Sequence, residues 1–204
     1  CIRDRVMAIS HRLMGNDSKA RKELSILLDH DPLHHFANLE KATLSQSKKD
    51  WNTYFSLVQN EYANQVHLEN AISYYNRGLS KDTYKLFEKL IENDRLDPIS
   101  RIWYAFISKN PELLKPVESV SIDYCFPYRR ETISALNWAV KENTHWKFSY
   151  LLALNLWAKD RNEEAWSLMS GLESKPNSMP FYLSRATLGE VYGCLLYTSP
   201  SPRD

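Results

Sequence analysis

The chain has 204 residues, with 26 Lys and Arg against 25 Asp and Glu, a formal charge of +1. That balance excludes the broad basic field with which a protein gathers nucleic acid or coats an anionic membrane. Five glycines are too few for a turn-rich β fold, and 43% hydrophobic with 25% charged residues is a globular mixture, so the composition predicts an all-α chain; three cysteines make no disulfide framework.

The chain opens at Cys1 on an amphipathic pattern with no initiator methionine, which reads as an internal start. Residues 1–34 predict a helical hairpin. Leu33–Ser47 and Trp51–Tyr62 predict a second, less regular pair, and 64–98 another hairpin. Prolines at 111, 116 and 127 break the next stretch. It reads as a helix over Ile99–Ser108, a short piece near Glu112–Val120 and a helix over Arg130–Glu142. A third regular hairpin spans 146–176, and a final helix spans Pro180–Gly193. The last eleven residues, Cys194 to Asp204, are similar to the translated string of a transposase-based sequencing adaptor. They are expected to be a non-native, disordered tail, leaving 1–193 as one helical domain truncated at both ends.

Three of these segments share a skeleton. Ala8, Gly15, Ala20, Leu24 and Leu27 are spaced by 7, 5, 4 and 3 residues. Ala71, Gly78, Thr83, Phe87 and Leu90 repeat those intervals, as do Ala153, Asp160, Ala165, Met169 and Leu172. Pro32, Pro98 and Pro176 follow. Small residues at the first position let two helices approach closely. Gly15 and Gly78 suit the left-handed residue that ends a helix. Asn16-Asp17-Ser18, Ser80 with Asp82, and Asp160 with Glu163 at capping-box spacing are expected N-caps. Asp31-Pro32 and Asp97-Pro98 place a cap before a proline at the first helical position.

This skeleton resembles the tetratricopeptide repeat, a helical hairpin of about 34 residues. The three matching units begin 63 and 82 residues apart, so degenerate pairs fill the gaps. The fold the resemblance implies is a right-handed α-solenoid. Longer strings extend it: 31–37 (Asp-Pro-Leu-His-His-Phe-Ala), 126–133 (Phe-Pro-Tyr-Arg-Arg-Glu-Thr-Ile), His145-Trp-Lys, and 180–186 (Pro-Phe-Tyr-Leu-Ser-Arg-Ala). These are similar to the C-terminal repeat region of large bacterial proteins whose N-terminal domain is β-rich and of unknown function. In tetratricopeptide arrays the first helix of each pair lines a concave face. Carried over by position, that face would hold Ile2, Arg5, Ile9 and Arg12; Gln65, Leu68, Ile72 and Tyr75; and Lys147, Tyr150, Leu154 and Trp157. The clustered Lys/Asn/Arg set that clamps a peptide C-terminus is not found in its expected order.

Candidates for chemistry are sparse. His30 and His34 are four apart, but Asp31-Pro32 puts a helix boundary between them, and no paired-Cys or HExxH spacing occurs, so no metal is expected. Cys125 beside Phe126 reads as a buried structural thiol. Glu163 and Glu164 diverge on a helix and cannot face each other as an acid/base pair. Asn16-Asp17-Ser18 matches a glycosylation sequon but reads as capping, and Arg129-Arg130, a pair able to bind a phosphate or carboxylate, reads rather as a solvated helix start after Pro127. The longest uncharged run before the tail, Phe148 to Ala158, falls far short of the ~20 residues of a membrane helix.

The expected function is therefore a non-catalytic scaffold without cofactor that holds a protein, a peptide or a neighbouring domain. It inserts into no membrane and binds no nucleic acid; the charge balance and uneven repeats argue against a helical RNA reader. The alternative is a helical part of a carbohydrate-active bacterial protein, with Tyr150, Trp157 or Trp103 stacking on a glycan.

Overall fold

The computed structural model describes residues 2–59, 63–93, 96–172 and 178–198, with side chains for all of these except 2–4, 63 and 192–198. Cys1, Tyr62, Pro176 and residues 199–204 lie outside the described residues, as does the side chain of Ile2. Among the described residues the chain is all-α, with twelve α-helices, one 3-10 turn and no strand. The helices are α1 (Ile2–Leu13), α2 (Asp17–His30), α3 (His35–Ser45), α4 (Lys48–Leu57), α5 (Ala63–Tyr75), α6 (Ser80–Glu92), α7 (Pro98–Ser108), α8 (Lys115–Ser119), α9 (Thr132–Glu142), α10 (Trp146–Trp157), α11 (Asn162–Ser170) and α12 (Met179–Thr198). The 3-10 turn is Pro111–Leu114. The chain divides into two compact units, residues 1–82 and 83–204.

The three expected turn positions share one backbone solution. Gly15 and Gly78 both have φ of 73°, and Asp160 has φ of 59°. At each, the next residue donates its N–H five residues back: Asn16 to His11 at 2.8 Å, Leu79 to Tyr74 at 3.1 Å and Arg161 to Leu156 at 3.0 Å. The turn residue itself donates to Arg12, Tyr75 and Trp157 respectively. This paired bonding satisfies carbonyls that a helix end would leave open. Lys109 adopts the same conformation after α7, with φ of 53° and Asn110 bonded to Ala105 at 3.1 Å.

In the first unit, α1 packs on α2 and α3, and α3 packs on both α2 and α4. Ala8, Leu24, Leu27 and Ala37 form the centre of that packing, with Leu28 and Leu44 against it. In the second unit, α9 lies against α7 and α10, α10 against α11, and α11 against α12. Apart from the exposed turn glycines Gly15 and Gly78, every described small or apolar residue of the shared skeleton is buried except Leu172, which is half-buried. Fewer than half of the large aromatics with described side chains are fully core; among these, Tyr54, Tyr74, Phe87, Trp103, Phe148 and Phe181 have no exposed surface.

Several boundaries differ from the sequence reading. Pro32 does not open the next helix; α3 starts at His35, capped by His34, whose Nδ1 accepts from Ala37 N–H at 3.2 Å. Asp97 does cap α7 ahead of Pro98, accepting from Ser100 N–H at 2.6 Å. Asn16 stands at the N-cap of α2 but makes no side-chain bond, and Asp160 is the left-handed turn residue rather than a cap. α4 begins earlier than expected because Ser47 caps it, and it ends at Leu57. α12 continues past Gly193 to Thr198, so the first five residues of the expected disordered tail are helical. Leu195, Leu196 and Tyr197 carry no helix-breaking residue among them, which accounts for the extension.

Candidate functional site

The expected concave-face residues separate into groups with different environments. Ile9, Leu68, Ile72 and Tyr150 are buried, and Lys147 is 9% exposed. These five pack inside the chain and present little surface to a ligand, which corrects their placement on an open face. Leu154, Trp157, Tyr75, Arg5 and Arg12 are half-buried, and Gln65 is exposed.

Arg12 is committed to an internal network in the first unit. Its Nε donates to Glu40 at 2.5 Å, and its two terminal nitrogens donate to the two oxygens of Asp82 at 3.1 Å. Tyr74 O–H donates to the other Glu40 oxygen at 2.7 Å. Burial opposes the charge on Arg12, but Glu40 and Asp82 together hold its pKa above the ordinary value. A guanidinium with both edges engaged by carboxylates has little left for a ligand.

Lys147 does something the sequence did not announce. Its Nζ donates to the carbonyls of Val117, Glu118 and Val120 at 3.3, 2.7 and 2.6 Å. All three ammonium donors are used, and the C-terminal carbonyls of the short helix α8 are satisfied. The segment that follows, 120–131, is thereby pinned to the start of α10. Asn155 holds its far end, donating to the Arg129 carbonyl at 3.1 Å.

That pinned segment forms one wall of a cavity of about 300 Å³. Phe126, Pro127 and Tyr128 face Leu154 and Trp157 of α10 and Ala158 just after it, and Ser184 of α12 completes the lining. Phe126 is 67% exposed and Tyr128 is 39% exposed, so the rim is unusually aromatic for a solvated surface. Beneath it, the Tyr150 and Ser184 hydroxyls lie 3.2 Å apart. The aromatic string at 126–128 was visible in the sequence but did not stand out as a site, because its helix-flanking prolines read only as breakers. Leu154 and Trp157 are thus brought together in an accessible groove. Trp103 is not: it is fully buried, with its indole N–H donating to Thr132 at 3.0 Å.

The remaining candidates are quiet. Cys125 is half-buried, and burial first, then the nearby Asp97 and Asp123, push its thiol up to about 12, which suppresses the nucleophilic thiolate. Glu164 pairs with Arg161 at 2.6 Å on the surface, and Arg129 lies 3.4 Å from Glu131. Among the described residues no cluster of His, Cys, Asp and Glu could hold a metal ion, and no helix is long and apolar enough to cross a membrane. Comparison with family models, with curated proteins and with solved structures finds no match to the chain.

Proposed function

We propose that the chain is an interaction module built from tetratricopeptide-like hairpins stacked as a right-handed α-solenoid, which holds a peptide, a protein or a neighbouring domain and catalyses nothing by itself. The observation that carries this reading is the recurrence of one turn geometry at Gly15, Gly78 and Asp160, each at the same offset from a buried small residue. Identical units joined by identical turns are how helical arrays extend a surface. The groove at Leu154 and Trp157 supports it further, because its lining offers apolar contact and hydroxyls rather than a reactive group.

The test is photo-crosslinking from the exposed Phe126 position, with the captured partner then titrated against variants. Trp157→Ala and Phe126→Asp are expected to weaken that partner at least tenfold, the loss of one aromatic anchor. Full affinity in both would remove the groove from the account.

A glycan ligand is the second reading, favoured by one feature: Trp157 and Tyr128 border the same open cavity. The burial of Trp103 and Tyr150 leaves fewer stacking faces than that reading expected. Quenching of Trp157 fluorescence by soluble glycans, absent in Trp157→Phe, would support it; no quenching across a glycan panel would dismiss it.

A further inference from the structure

Two arginines of α1 lie on one side of the helix, seven residues apart, and meet opposite fates. Arg12 is neutralised by Glu40 and Asp82. Arg5 has no carboxylate partner among the described residues. Its guanidinium lies 4.2 Å above the centre of the Phe36 ring, and one terminal nitrogen reaches only Ser73 Oγ, at 3.5 Å. Its Nε is enclosed and makes no hydrogen bond.

A second cation converges on the same hydroxyl. Arg77 donates to Ser73 Oγ at 2.6 Å and to the Ser73 carbonyl, and it too has no carboxylate partner among the described residues. The two guanidiniums therefore share one neutral oxygen. Their mutual repulsion adds to burial in depressing the Arg5 pKa. His34 is close enough to feel the charge of Arg5. The cluster is rich in donors and short of acceptors, and a like-charge pair of this kind is costly unless an anion completes it.

We propose that Arg5, Arg77 and Ser73 form a receiving site for a phosphoryl dianion, carried as a phosphate monoester or as free phosphate. A carboxylate would offset one of the two charges; a phosphoryl dianion offsets both. Its several oxygens can also accept from two guanidinium forks at once. The Phe36 ring supports the Arg5 guanidinium by a cation–π contact that consumes none of its N–H donors. The site uses residues of the first unit alone, so it stands or falls separately from the aromatic groove.

The test is calorimetric titration of the full chain with inorganic phosphate, O-phosphoserine and acetate at matched ionic strength. Phosphate is expected to bind, acetate to bind at least tenfold more weakly, and Arg77→Ala to weaken phosphate by about tenfold or more, as the loss of one charge-assisted bond implies. Arg5→Gln should do the same; because Arg77 is exposed and its removal leaves no cavity, Arg77→Ala decides the matter if Arg5→Gln misfolds. Tighter binding of O-phosphoserine identifies a monoester as the ligand, and equal binding identifies free phosphate. Unchanged phosphate affinity in Arg77→Ala, or acetate binding as tightly as phosphate, would overturn the proposal.

Discussion

The Glu40 carboxylate, 1% exposed, sits 2.5 Å from the Nε of Arg12 and takes a second bond from the Tyr74 hydroxyl. Two elements distant in sequence, α1 and α3, are thus joined through an ion pair that water barely reaches. Such pairs stabilise little when compared with a hydrophobic replacement, but breaking one leaves a charge without a partner.

Glu40→Ala is therefore expected to lower unfolding free energy by about 3–5 kcal/mol, the range for breaking a buried pair from one side. Glu164→Ala removes the exposed pair with Arg161, which water screens, and should leave stability almost unchanged. Urea denaturation of the two variants separates these outcomes, and equal losses would contradict the burial argument.

Two helices begin on histidine caps. His34 Nδ1 accepts from Ala37 N–H, and His145 Nδ1 accepts from Lys147 N–H at 3.5 Å. An Nδ1 that accepts must be unprotonated. Burial lowers both pKa values below the ordinary 6.5, with Arg5 adding to the effect at His34 and Lys147 at His145. A folded-state pKa below the unfolded one means that the unfolded chain binds more protons in the window between them. Stability is therefore full above the unfolded pKa and falls as acid titrates the histidines. Thermal melts between pH 7.5 and 5.5 should show this decline, and His34→Asn with His145→Asn, which cap without titrating there, should flatten it.

The turn residues yield a stability series. A Cβ at Gly15 or Gly78 would meet nothing within 4 Å, so the left-handed backbone alone opposes a substitution. Gly15→Ala and Gly78→Ala should each destabilise by about 1–2 kcal/mol. Asp160→Gly and Lys109→Gly should be neutral or stabilise by up to about 1 kcal/mol, since both hold the same strained φ with a side chain. Equal responses at glycine and non-glycine turns would contradict the shared geometry.

These turns also mark what the sequence could and could not disclose. Glycine in a hairpin announces a left-handed residue, and Gly15 and Gly78 were readable for that reason. Asp160 was readable as a turn by alignment with them, but its spacing to Glu163 suggested a cap it does not make. Lys109 and Gln46 were invisible, because long side chains seldom adopt positive φ and nothing in the residue type announces the left-handed helix end each provides. The same divide runs through the candidate site. A positional rule placed Ile9, Leu68, Ile72, Lys147 and Tyr150 on an open face; their neighbours in space bury them. Lys147 could not be read at all, since its acceptors are backbone carbonyls about thirty residues earlier, in a segment with no periodic pattern.

Lys147→Met keeps the unbranched apolar stem of the side chain and removes all three donors. The carbonyls of Val117, Glu118 and Val120 would then lose their partner, which should cost about 2–4 kcal/mol given a charged donor in a largely buried site. Limited proteolysis should show new cleavage within 120–131 while α10 stays protected. Unchanged protection there would mean that Asn155 alone holds the segment.

The most direct measurement for the whole account is site-specific crosslinking compared between two exposed positions of the second unit. A photo-reactive residue at Phe126, on the rim of the groove, is set against one at Glu163, which does not line it. A partner captured from the first position and not the second, and lost with Trp157→Ala, is the predicted result. Equal capture from both positions, unaffected by Trp157→Ala, would contradict it.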